Sequence, residues 1–142
     1  MRESKLVTLV QASLERQFKG ACYLNKNHGN QFQAHGRPDL EGCIFGRHFG
    51  FELKAGSRFS PTQIAHLKRI TKSGGIGGAV VYVKNDYYYL TAWQAAGYSL
   101  RKLSNYKRIP FDRYLDFSFL YKYLNIFYLH YHGEQSVLPE AR

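Results

Sequence analysis

Carboxylates are scarce in this chain, ten Asp and Glu among 142 residues, yet Asp39, Glu41 and Glu52 all fall between Gly36 and Gln63. Lys54 follows the last of them by two positions. Two converging carboxylates with a lysine on the same side suit hydrolysis of a phosphodiester assisted by a divalent metal. Mg²⁺ is hard, prefers oxygen donors and needs only one or two carboxylates beside its waters. Asp39 and Glu52 could supply these, with the backbone carbonyl of Leu53 as a further donor. Mg²⁺ is therefore the expected ion, with Mn²⁺ as its substitute. Lys54 could position the attacking water or stabilise the negative charge that develops. The plainer alternative is a surface hairpin whose Asp39, Glu41, Glu52 and Lys54 form exposed ion pairs of little energetic value.

These side chains meet only if the chain between them doubles back. Leu40 to Phe45 and His48 to Lys54 read as two strands joined by a tight turn at Gly46-Arg47. That turn pairs Leu40 with Leu53, Gly42 with Phe51 and Ile44 with Phe49, an apolar face throughout. The alternate face sets Asp39 opposite Lys54 and Glu41 opposite Glu52. Like charges facing each other across a sheet are destabilising, so Glu41 and Glu52 call for a counter-charge, a metal or a lysine. For Glu41 an ion pair with Lys54 or Arg37 is the expected arrangement. After the hairpin, Ser60-Pro61-Thr62-Gln63 opens a helix: serine as N-cap, proline at the first position, glutamine completing a capping box. It runs to about Ser73 with Ile64, Leu67 and Ile70 inward, and Gly74-Gly75 ends it.

Residues 3 to 18 form an amphipathic helix by the same logic, with Leu6, Val10, Leu14 and Phe18 recurring every four residues. Glu3 lies in its first turn, where a negative charge is favourable in any case. Ala21 to Leu24 reads as a short strand and Asn25 to Gly36 as an irregular loop. Gly74 to Gly78 lacks the Lys-Ser/Thr of a phosphate loop and reads as a turn. Ala79 to Val83 is a buried-type strand. Tyr87 to Thr91 returns along it after Asn85-Asp86, and a short helix follows over Ala92 to Gly97. Tyr87, Tyr88, Tyr89 and Trp93 could stack on unpaired bases, although core packing or a dimer interface explains them as well. From Phe111 to Tyr131 the aromatics are too dense to separate helix from strand. The six histidines give no convincing ligand pair; His130 and His132 are the nearest approach.

Helix, strands, helix, strands in that order predict a mixed α/β fold. At 142 residues, 44% hydrophobic and 21% charged, the chain reads as one globular domain, residues 1–142, with a frayed tail after about 133. No apolar run approaches the roughly 20 residues that span a bilayer, no secretory signal is present, and Cys22 and Cys43 form no framework. A cytoplasmic protein is expected, from a bacterial or phage-infected cell. The net charge of +10 points to a polyanionic partner, nucleic acid being the commonest.

Pro38-Asp39, a gap, then Glu52-Leu53-Lys54 resembles the signature of the PD-(D/E)XK nuclease superfamily. Gly36 before Pro-Asp, the intervening hairpin, the Ser-Pro-x-Gln helix start and Gly74-Gly75-Ile76 before a buried strand are similar to two of its branches, the VRR-NUC nucleases and the RecU-type Holliday junction resolvases. Tyr89-Leu90, Arg108-Ile109-Pro110-Phe111 and Leu115-Asp116 extend the RecU-like likeness, which covers roughly residues 3 to 120. The resemblance implies a restriction-endonuclease-like core with a mixed β-sheet flanked by helices. It implies Asp39 and Glu52 as metal ligands and Lys54 as the catalytic lysine, with Gln63 near the site and Glu3 contributing a carboxylate from the first helix. Leu53 stands where RecU-type enzymes usually carry alanine, and no counterpart of their junction-inserting stalk is present. The function implied is Mg²⁺-dependent endonucleolytic cleavage of branched DNA, a four-way junction first of all, by a homodimer. Alternatives are a flap-type or less specific nuclease, and a non-catalytic basic nucleic-acid-binding module.

Overall fold

Leu6, Val10 and Leu14 lie along helix α1, Glu3–Gln17, and like Phe18 at its end they are all but inaccessible to solvent. Burial of each side chain stabilises the fold by about 1.5–3 kcal/mol relative to exposure. The computed structural model describes residues 1–27, 37–56 and 58–124. Within them α1 is followed by β1 (Cys22–Lys26), β2 (Leu40–Ile44), β3 (Arg47–Lys54), α2 (Pro61–Lys72), β4 (Ile76–Val83), β5 (Asp86–Thr91), α3 (Ala92–Ala96) and β6 (Lys107–Arg108). 3₁₀ turns cover Leu100–Asn105 and Ser118–Tyr123.

The strands form one six-stranded sheet in the order β1-β2-β3-β4-β5-β6. Only β3 and β4 run parallel, and a parallel pair needs a crossover connection, which α2 provides. α1 and the aromatic segment Phe117, Leu120 and Leu124 cover one face of the sheet. α2 and α3 cover the other, packing Leu67 on Ala79, Val81 and Leu90. The mixed α/β architecture, a sheet flanked by helices, is as expected from the order of elements. Strand β3, enclosed on both sides, is buried from Phe49 to Leu53, as strands at the centre of a covered sheet are.

The hairpin forms, with a different register. Its turn is Phe45-Gly46, not Gly46-Arg47, and pairs Leu40 with Phe51, Gly42 with Phe49 and Ile44 with Arg47. Both turn residues have positive φ, 48° and 77°, as a two-residue turn matched to strand twist requires. Phe45 tolerates that backbone because tertiary contacts hold it: its N–H donates to Ala21 O at 2.8 Å and its ring meets Phe18 edge-on. A shift of two leaves every side chain on its predicted face, but Glu41 now opposes Gly50 rather than Glu52.

Other boundaries move for packing reasons. The turn expected over Gly74 to Gly78 stops at Gly75, and Ile76 already belongs to β4. A Cβ on Gly77 would lie 2.2 Å from Leu67 O, so glycine there lets α2 close on the sheet. β1 extends to Lys26, taking in part of the expected loop; residues 28–36 lie outside the described residues, as do His130, His132 and the tail. In the aromatic third, Tyr87 and Tyr89 are core residues while Trp93 is half exposed. Ser13, buried in α1, accepts from Leu115 N–H at 2.9 Å and donates to Leu9 O at 2.7 Å, which ties the 111–116 loop to the helix. Arg47 donates to Gly74 O at 2.8 Å and to Tyr123 O, joining the start of β3 to the exit of α2 and to the last 3₁₀ turn.

Candidate metal and catalytic site

The ladder between β2 and β3 ends at Leu40 and Phe51, and the next residues on each strand are the chemically loaded ones. Asp39 continues the register level with Glu52, and its side chain takes over from the missing strand: Leu53 N–H donates to Asp39 Oδ2 at 2.9 Å. An extended residue presents its N–H and C=O to the same side, so the Leu53 carbonyl also opens toward Asp39. The Asp39 segment is pinned from β1. Asn27 Nδ2 donates to Pro38 O at 2.8 Å, and Asn27 N–H donates to Asp39 O at 2.9 Å.

Glu52 sits on the α2 face of the sheet and is 1% exposed. Its Oε1 accepts from Gln63 Nε2 at 3.2 Å, while Oε2 is buried with no hydrogen-bond partner. Gln63 also completes the helix cap, since its Oε1 accepts from Ser60 N–H at 2.9 Å and Ser60 Oγ accepts from Gln63 N–H at 3.1 Å. One amide therefore closes the capping box and holds the carboxylate. Burial first, and then the Asp39 charge, push the Glu52 carboxyl up from 4.5 to about 9; Glu3 adds to the shift and Lys54 opposes it. A buried carboxylate beside another like itself is costly unless a proton or a cation joins it.

The remaining candidates surround this pair. Lys54, half-buried, lies on the same face of β3 as Glu52, two residues on. Glu3 stands on the first turn of α1, where with Ser4, Val7, Thr8, Lys26, Asn27 and Asp39 it lines a hollow of about 230 Å³. Glu41 is drawn away from the pair and forms an ion pair with Arg37. Burial works against its ionisation, but hydrogen bonds from Arg37 and Asn27, with the charges of Arg37 and His48, outweigh this and hold its carboxyl below the usual value. The expected repulsion between Glu41 and Glu52 is thus replaced by one between Asp39 and Glu52.

The donor set fits a hard divalent ion: two carboxylates, one of them with an unpartnered buried oxygen, and a main-chain carbonyl. Among the described residues no group of three or more His, Cys, Asp and Glu side chains is arranged to hold a metal, so the candidate centre is a carboxylate pair. Asn27 is the supporting residue that sequence reasoning missed. Nothing local to it signals the role, because its partners lie eleven and twelve residues away on the far side of the 28–36 stretch.

No family model matches the chain, and no curated protein does. Among solved structures, that of Archaeoglobus fulgidus Hjc, a Holliday junction resolvase from an archaeal hyperthermophile, aligns over 77% of this chain and 84% of that one, with a TM-score of 0.46 and 9% sequence identity. No helix among the described residues is long and apolar enough to cross a membrane.

Proposed function

We propose that the chain is a divalent-metal-dependent DNA endonuclease with a restriction-endonuclease-like core, acting as a single nuclease domain. The observation that carries this reading is the Glu52 carboxylate: buried, level with Asp39, one oxygen held by Gln63 and the other with no partner. Asp39, Glu52 and the Leu53 carbonyl would hold Mg²⁺, with Mn²⁺ able to replace it. When bound, such an ion supplies Lewis acidity toward a phosphate oxygen and a water of lowered pKa.

The chain's own groups divide the remaining work. The Leu53 N–H fixes the Asp39 carboxylate, and the Gln63 amide fixes that of Glu52, so neither must reorganise when substrate arrives. The Lys54 ammonium donates toward the non-bridging phosphate oxygen as negative charge builds there, or orients the attacking water. Glu3 brings a further carboxylate to the rim from α1. The excess of Lys and Arg binds the phosphate backbone. Branched DNA, a four-way junction above all, is the proposed substrate on the strength of the motif resemblance. A homodimer would suit paired cuts across its two-fold axis.

Cleavage of four-way junction, flap and linear duplex substrates with Mg²⁺ or Mn²⁺ tests the reading. Cutting is expected with either ion and not in chelator. Asp39→Asn and Lys54→Ala should each reduce it at least about a hundredfold, the scale of a lost charge-stabilising group, with junction affinity retained. Tight junction binding without cutting under any of these conditions would leave a binding module instead.

A further inference from the structure

The helical layer over the Glu52 face contains no carboxylate. Residues 53 to 85 and 87 to 111 hold no Asp or Glu, a span that includes α2, α3 and the 3₁₀ turn Leu100–Asn105. Lys68, Arg69, Lys72, Arg101 and Lys102 give this layer one sign of charge. Within it stands Trp93, the chain's single tryptophan, which is 49% exposed although core volume is filled elsewhere by Phe and Tyr.

Trp93 borders a hollow of about 330 Å³ shared with Gln94, Gly97, Lys102, Asn105 and Tyr106, within the range of small-ligand sites. Lys68 Nζ approaches the indole centroid to 5.9 Å from α2. The surround is fixed before any ligand arrives. Gln94 is held in the α3 capping box, with Thr91 N–H donating to its Oε1 at 2.9 Å. Tyr106 is buried, and its hydroxyl accepts from Ser99 N–H at 3.1 Å. A rigid aromatic surface beside lysines, in a layer without acids, fits a ligand that offers a flat π-face and phosphates together.

We propose that Trp93, with Lys68 and Lys102, is a stacking platform for an unpaired base of single-stranded DNA. Duplex DNA meets only half of this chemistry, since its bases are already stacked and paired and only its phosphates reach the lysines. An acidic protein surface likewise engages the lysines and leaves the indole unused. Stacking of a base on an aromatic side chain, with phosphates tracked by basic residues, is how single strands are held without regard to sequence. The platform shares the sheet face of the candidate site. Gln63, which touches Glu52, and Lys68 lie five residues apart on α2, about 7.5 Å along the axis. A strand held at Trp93 would thereby lie on the same side of the sheet as Glu52 and Lys54. The inference rests on the nuclease reading only in naming the strand as DNA, and it adds to that reading a place for an unpaired strand, as in a flap or a junction opened at its centre.

The single tryptophan makes the test direct. Metal-free protein is titrated with oligo(dT), with a blunt duplex and with poly-glutamate while its emission is followed. Saturable quenching by oligo(dT) alone is expected. Trp93→Ala should weaken oligo(dT) binding about tenfold, the effect of one stacked base, and leave duplex affinity within about twofold. Trp93→Phe should keep most of the affinity. Lys68→Ala and Lys102→Ala should each lower the salt slope of single-strand binding by about 0.7, one phosphate contact apiece. No quenching by oligo(dT), equal quenching by duplex or poly-glutamate, or unchanged affinity in Trp93→Ala would overturn the platform. Since no cutting occurs in chelator, the two readings separate: cleavage without quenching removes the platform alone, and quenching without cleavage removes the nuclease alone.

Discussion

Burial and the neighbouring Asp39 charge push the Glu52 carboxyl up from the ordinary 4.5 to about 9 in the folded chain, and this has a consequence for stability. Its pKa is higher folded than unfolded, so the folded state holds the proton more tightly. The stabilisation is complete below about pH 4.5 and is lost progressively as pH rises through about 9. Metal-free protein should therefore melt at lower temperature at pH 8.5 than at pH 6. Glu52→Gln should flatten that slope and raise the metal-free Tm at pH 8.5. Added Mg²⁺ should raise the Tm of the native chain and leave that of Glu52→Gln unmoved. A thermal melt series at two pH values with and without Mg²⁺ decides it; an identical pH slope in the variant removes Glu52 as the cause. At this scale the sequence was legible for proximity: the local cluster of carboxylates and the strand parity put Asp39 beside the Glu52 strand, where the structure has it level with Glu52. It was not legible for compensation. Which carboxylate loses its charge partner depends on Arg37 reaching Glu41 and on Asn27 bracing Pro38, contacts set by folding rather than by spacing.

Between elements, the contact that matters most is α2 against the parallel β3–β4 pair. Gly77→Ala puts a Cβ 2.2 Å from Leu67 O, backbone that cannot rotate away, so the helix must lift. The expected cost is about 1–3 kcal/mol, typical of overpacking. Displacement of α2 should also draw Gln63 from Glu52, so Mg²⁺ affinity should fall along with the denaturant midpoint. A midpoint within error of the native chain, in urea titration, would contradict the close approach. The hairpin illustrates what an amphipathic pattern can decide. Period-two alternation assigns faces, and that assignment survives a register shift of two because parity is unchanged. It cannot choose between Gly46-Arg47 and Phe45-Gly46 as the turn, which is settled by Ala21 O and the Phe18 ring holding Phe45. Helix α2 was the most legible element because its start is written locally, in Ser60, Pro61 and Gln63.

Across the described residues each face of the sheet carries a core cluster of its own, and Glu52 and Lys54 stand on the α2 side. The C-terminal aromatics were illegible because their order comes from distant partners. Phe119 and Tyr123 pack on Tyr89 at 5.0 and 6.4 Å between ring centroids, and Phe117 and Leu120 are wholly buried in the same cluster. This segment also has a consequence for the order in which the chain can pack during its own synthesis. Every proposed catalytic group has been synthesised by Gln63, but the apolar side of the strand that carries Glu52 is only partly covered, by α1, until Leu124 follows. The packing of this face would thus be completed only when nearly the whole described length is made. A chain ended after Asp116 should retain Asp39, Glu52 and Lys54 yet bind a hydrophobic dye and lack the near-ultraviolet dichroism of packed aromatics. A cooperative thermal transition in that truncated chain would show that the site can assemble without its last-made cover.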